Sequence, residues 1–204
     1  ALYSIIYAGG CAFMQTLATC IVAYATARFD FKLSKIIYAT VLVLMVLPII
    51  GALPSEIQLT KNLGLYDTLF GPLILKFNFI GMYYLVFYAT FRGVSKAYTE
   101  AAKIDGANEW KVFTGIVMPN VKPAWLTLII FSVQGLWNNR AATFIYSEEK
   151  KTLVYAMQQI QAGGIARTGQ GAAVLVVVMI VPILIFIFSE SQILETMASS
   201  GLKD

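Results

Sequence analysis

Long apolar runs alternate with short polar ones along this chain. No charged residue occurs from Ala1 to Ala27, from Ile36 to Ser55, or from Thr168 to Ser189. Two more runs carry one charge each, close to an end: 68–91 contains only Lys76, and 124–146 only Arg140. A helix needs roughly 20 apolar residues to cross a bilayer. A charge near the end of such a run can reach the interface along its own side chain. The pattern therefore predicts five membrane-spanning helices.

The joints between them are polar. "RFDFKLSK" follows the first helix, Pro54 is expected to end the second, and the third closes at "FRGVSK". Pro123 is expected to open the fourth as a first-turn proline. Ser147 to Arg167 precedes the fifth, and Glu190 to Asp204 forms a polar tail.

Composition agrees with lipid as the solvent. Of 204 residues, 58% are hydrophobic and 13% charged, about half the charged share of an ordinary soluble domain. A soluble protein with five such core helices would have almost no surface left to solvate. The first run lacks a basic start and is too long for the apolar part of a signal peptide. Basic residues in the first and third joints number eight, against six in the second and fourth, and the tail adds Lys203 to the first side. That bias places 28–35, 92–122 and the C-terminus in the cytoplasm, and 56–76 and 147–167 outside. Cys11 and Cys20 lie roughly 13 Å apart along one helix, too far for a disulfide, and read as apolar fillers.

The segment "EAAKIDGANEWKVFTGIVMP", Glu100 to Pro119, interrupts this regime. Ser95 suits a helix cap, and Lys96 to Ile104 are mostly good helix formers. Gly106 suits the position just past a helix end, where φ is positive. Asn108 is placed to cap a second helix, with Glu109 in its first turn facing the positive end of the dipole. Val112, Phe113 and Ile116 recur at helical spacing as an apolar stripe with no evident partner in the chain. Pro119 is expected to stop this helix. The product is a bent helical pair at the cytoplasmic side, 95–119.

That pattern resembles the cytoplasmic coupling loop of bacterial ABC importer permeases: E-A-A, then Gly, then a hydrophobic-Pro pair twelve residues beyond. Glu100, Ala101, Ala102, Asp105, Gly106, Ala107, Phe113, Ile116 and Pro119 carry the match; Met118 stands where Leu is usual. "AYATARFDF", "TLVYAMQQ" and "ETMASSGLKD" extend the resemblance over essentially all 204 residues, to the binding-protein-dependent sugar permeases of the maltose-transporter type. The resemblance implies an all-α polytopic membrane protein, 1–204 being one permease domain with a cytoplasmic coupling helix-turn-helix. It implies six spanning helices; with five predicted here, the first is expected to be missing from this sequence. It further implies a bacterial cytoplasmic membrane location and a non-enzymatic import subunit for a sugar or oligosaccharide. The implied partners are two cytoplasmic ATPase subunits that bind ATP and magnesium, a second similar permease, and an external solute-binding protein. The loop occurs equally in permeases for peptides, polyamines or phosphate, so these stay open, as does a non-transport scaffold.

The remaining chemistry is sparse. There is no histidine, which removes the commonest acid–base group and metal ligand. No G-x-x-x-x-G-K-[ST] loop occurs, so ATP chemistry is assigned to a partner. No catalytic residue, metal site or nucleic-acid stripe is expected. "QGLWNNR" places Gln134, Trp137, Asn138 and Asn139 near the outer end of the fourth helix. Amides and an aromatic face there fit a sugar path, and equally an interfacial belt.

Overall fold

A computed structural model describes residues 2–47, 52–139, 147, 150–163 and 168–201. Among these the chain is helix and turn, with no strand. Helix α1 spans Leu2–Arg28 and contains a π-helical turn at Ile6–Gly10. There follow α2 (Lys32–Val46), α3 (Ala52–Asn62), α4 (Phe70–Leu75), α5 (Met82–Gly93), α6 (Lys96–Ile104), α7 (Glu109–Trp137), α8 (Leu153–Gln161) and α9 (Thr168–Gly201). Among the described residues three helices are long and apolar enough to cross a membrane: α1, α7 and the Gly169–Glu190 stretch of α9.

The other two expected spans look different. The second is the 15-residue α2, roughly 22 Å long at the helical rise; its expected continuation at 48–51 lies outside the described residues. The third is broken between α4 and α5. Asn78 turns its side-chain amide back onto the Leu75 carbonyl at 3.2 Å. Gly81, just before α5, sits at φ +145°, a backbone state that side chains disfavour. Hydropathy registers neither feature, so the run reads as one helix although the backbone leaves the helix at 76–81.

The prolines depart from expectation in the opposite sense. Pro119 does not stop a helix and Pro123 does not start one, because α7 runs through both. A π-helical turn at Phe113–Val117 immediately precedes Pro119. Its wider backbone relieves the clash between a proline ring and the carbonyl four residues earlier. The Asn120 side chain donates to the Ile116 carbonyl at 2.7 Å, within the same turn. The outer end of the expected fourth span, 140–146, lies outside the described residues.

Contacts divide the chain into two compact units. The first comprises 1–15, 49–78 and 129–190. Its core gathers Ala8, Cys11 and Ala12 of α1, Leu136 and Trp137 of α7, Val154 and Met157 of α8, and Val178 of α9. The second comprises 16–48, 79–128 and 191–204. Here α5 buries Tyr84, Phe87 and Phe91, a helical i, i+3, i+7 stripe, beside the small Ala23 and Ala27 of α1. Small residues let helices approach closely in a membrane. The Thr26 hydroxyl and the Tyr84 hydroxyl share a hydrogen bond of 2.8 Å in that contact. Both cysteines are buried and free. On α9 the outward residues Val176, Met179, Ile180, Phe186 and Phe188 are large and apolar, as a lipid-facing surface requires.

Candidate docking elbow

The polar interruption folds as a bent pair of helices in the second unit. Ser95 caps α6, its hydroxyl accepting from the Ala97 amide at 3.3 Å. The end of α6 is a complete Schellman turn. Gly106 at φ +80° donates to the Lys103 carbonyl at 3.1 Å, and Ala107 donates to the Ala102 carbonyl at 2.9 Å. Those two bonds satisfy carbonyls that a helix end otherwise leaves orphaned. Asn108 then caps α7, its side-chain oxygen accepting from the Lys111 amide at 2.8 Å. Lys103 and Glu109 form an ion pair across the bend, both half-exposed. The Glu109 hydrogen bond holds the Lys103 pKa above the ordinary lysine value. On the lysine side the pair is therefore complete at neutral pH and is lost as pH rises through that raised value.

The structure redistributes the expected contact residues. Ala101 is exposed and Ala102 is buried in the core of its own unit, so only one of the two small residues is available for a close external approach. The expected stripe is also internal. Val112 is buried, and Phe113 and Ile116 pack against the same core; Phe113 meets Tyr24 of α1 with ring centroids 4.7 Å apart. The stripe has its partners within the chain, on α1 and α5, which a one-dimensional pattern cannot show. The outward apolar groups are instead Tyr98, Ile104 (86% exposed) and Trp110 (70% exposed). Their signal was present as large apolar residues in an otherwise polar stretch. Glu100, Asp105 and Gly106 are exposed, as is Pro119, and Ala107 is half-buried. Behind the elbow lies a cavity of about 210 Å³ lined by residues that include Tyr24, Arg28, Glu100, Lys103 and Glu109.

At the other end of α7 the four polar and aromatic candidates part company. Trp137 is 4% exposed, and its indole N–H donates to the Val178 carbonyl at 3.2 Å. Asn139 donates to the Tyr7 hydroxyl at 3.1 Å. Gln134 is half-buried and Asn138 exposed. In the same unit Asp67, at φ +55°, accepts from the Ser147 amide and hydroxyl at 3.1 and 3.0 Å, while its carbonyl accepts from Lys150 at 2.9 Å. Among the described residues no group of three acidic, cysteine or histidine side chains is placed to hold a metal.

The family described as binding-protein-dependent transport system inner membrane component matches residues 15–196. The chain belongs to that family. Among its relatives, the diacetylchitobiose uptake system permease protein NgcG of Streptomyces coelicolor is 30% identical over 168 residues, covering 80% of this chain and 55% of that protein. The melibiose/raffinose/stachyose import permease protein MelC of Bacillus subtilis is 24% identical, covering 98% of this chain and 74% of its own length. The chain thus spans little more than half of the first of these relatives. Its fold is similar to a chain in the crystal structure of a bacterial ABC transporter involved in the import of the acidic polysaccharide alginate. That similarity has a TM-score of 0.73 at 22% identity and covers 94% of this chain and 72% of that one. Family and fold together make this an all-helical membrane protein of the transport-permease type.

Proposed function

We propose that this chain is the permease subunit of an ATP-driven, binding-protein-dependent importer for a sugar or oligosaccharide. The relatives named above are permeases for such solutes, which favours sugar over peptide, polyamine or phosphate. The chain itself is non-enzymatic. Two cytoplasmic ATPase subunits bind ATP and magnesium, a second permease completes the pore, and an external binding protein delivers the solute. Loops 28–35 and 92–122 and the C-terminus face the cytoplasm.

The observation that carries the coupling role is the elbow itself. Its two helices are set at a fixed angle by the Gly106 turn. Its inner face, Ala102 and Val112, is embedded in the core that also holds α1, α2 and α5. Its outer face offers Tyr98, Ile104 and Trp110. Large exposed aromatics on a rigid support are what a partner groove would receive. A push on that outer face is passed directly to Ala23, Val41 and Phe87, because packed cores are stiff. In the first unit, Gln134 and Asn138 remain candidates for the solute path, whereas Trp137 is held by its own chain.

The test uses the purified transporter with its co-purifying ATPase. Glu100→Lys and the pair Ile104→Ser/Trp110→Ser are expected to reduce ATPase content or separate hydrolysis from uptake, with membrane insertion intact. Normal labelled-oligosaccharide uptake in both variants would make the elbow a passive connector.

A further inference from the structure

Helix α7 buries the wrong residues for an uninterrupted α-helix. Past the π-helical turn, Val117, Val121 and Leu128 are buried in the core of the second unit. Their spacings of four and seven residues keep them on one side of a helix. Val112 is buried in the same core, at 1% exposure. Yet it precedes Val121 by nine residues, about two and a half α-helical turns, which would place it on the opposite side. Trp110 precedes Val121 by eleven, about three turns, which would point it inward; it is 70% exposed. The π turn at Phe113–Val117 accounts for both. The Met118 amide donates there to the Phe113 carbonyl, five residues back, so the turn takes in one residue more than an α-turn holds. One residue is about 100° of rotation. That rotation brings Val112 round to the core and Phe113 onto Tyr24, and it takes Trp110 out.

We propose that Pro119 is a positioning residue for the elbow: it holds the π turn in place, and the π turn sets which face of α7 is offered to the ATPase subunit. An α-register here would press the Pro119 ring against the Gly115 carbonyl, four residues earlier, and would leave that carbonyl without its usual amide donor. The wider turn avoids the clash. The Ile116 carbonyl, in the same turn, is met by the Asn120 side chain at 2.7 Å. Thr114 and Gly115, on the outer side of the turn, are exposed. No neighbouring element lies within 4 Å of a Cβ added at Gly115, so nothing packed on that side holds the turn open. The inference rests on the coupling reading of the elbow.

The test is rescue by deletion. Pro119→Ala frees the helix to close into α-register, which turns the elbow by about 100°. Trp110 then leaves the docking face, and losing such an aromatic anchor weakens an interface by about thirtyfold. Deletion of Thr114 alone should do similar damage, because the chain is one residue short while Pro119 still opposes the α-register. In one chain the two changes cancel: an α-helix one residue shorter presents the faces that the π turn presents now. The double variant should therefore recover most of the wild-type affinity when ATPase is titrated back onto the purified, ATPase-stripped transporter. Register is read separately, on this chain, by a cysteine at Val112. It should resist a thiol reagent with Pro119 in place, react in Pro119→Ala, and resist again in the double variant. If Pro119→Ala leaves that labelling unchanged, or the double variant labels and binds no better than Pro119→Ala, the proposal is overturned. It is also overturned if labelling switches and Pro119→Ala still docks normally while Glu100→Lys does not. If labelling switches and reverts but docking and uptake are normal in every variant, Glu100→Lys included, the coupling reading has failed, and the positioning role falls with it.

Discussion

The proline at 182 makes a quantitative prediction about Trp137. Within α9 the residue that would donate to the Val178 carbonyl is the one four positions on, which is Pro182, and a proline has no N–H to give. In lipid no water is available to fill the vacancy. The Trp137 indole fills it, at 3.2 Å, from a residue that is itself buried. Trp137→Phe keeps most of the ring and removes that donor. In water a buried carbonyl left unmet would cost about 1–3 kcal/mol, but side-chain hydrogen bonds within membranes average nearer 0.6 kcal/mol. The expected loss is therefore about 1 kcal/mol. Trp137→Ala should cost about 3–5 kcal/mol, since it also leaves a cavity. The decisive assay is a double-mutant cycle with Pro182→Ala, read by detergent-titrated unfolding of the purified protein. Alanine at 182 restores an N–H to the helix and gives Val178 its ordinary partner. Trp137→Phe should then cost less, by about 0.5–1 kcal/mol of coupling. An equal cost in both backgrounds would refute the account. In uptake assays Trp137→Phe should also leave solute preference unchanged. A shifted preference would instead return Trp137 to the solute path.

Three further outcomes are expected. A single cysteine at Asn108 should resist a membrane-impermeant reagent in intact cells while one at Ala162 is labelled; labelling at 108 would invert the topology. Gly106→Val should cost about 1–2 kcal/mol through its backbone alone, because no atom lies within 4 Å of the added Cβ. Gly106→Asn should be nearly silent in the same unfolding assay. Asp67→Ala removes the acceptor for both Ser147 donors and the 3.7 Å pairing with Lys150, leaving only that lysine's bond to the backbone carbonyl, so a loss of about 1–2 kcal/mol is expected. Asp67→Asn, which keeps an acceptor oxygen and tolerates positive φ, should recover most of it in thermal unfolding of the purified protein.

Local chemistry was the most legible part of this chain. The Ser95 cap, the Gly106 turn and the Asn108 cap each depend on residues within four positions of one another, and each stands where the sequence places it. The apolar runs were legible as helix, but their limits were not. Asn78 and Gly81 break a run that hydropathy joins, because a side-chain amide turned onto its own backbone and a positive φ leave no trace in apolar content. The partners of the stripe at 112–116 were not legible for a different reason. Whether Val112 and Phe113 face an external groove or Tyr24 and Phe91 depends on contacts made far apart in sequence, and amphipathic spacing is the same in both cases.

Proline shows most plainly how the solvent changes the rules of reading. In water a proline's missing N–H favours ending a helix, since the freed carbonyl is at once hydrated. In a bilayer an ended helix would expose several unmet groups where a continued one exposes a single carbonyl per proline. The cheaper solution is to run on and repair locally. This chain does so within the apolar α9, where the indole of Trp137 is brought to the carbonyl that Pro182 leaves open; at the exposed Pro119 the helix runs on through a π turn with Asn120 folded onto it. The repair in α9 recruits Trp137, a residue that the sequence pattern places in a sugar path or an interfacial belt. Polar side chains near a proline in an apolar helix are thus first to be tested as backbone donors, and only those left over, here Gln134 and Asn138, as contacts for a solute.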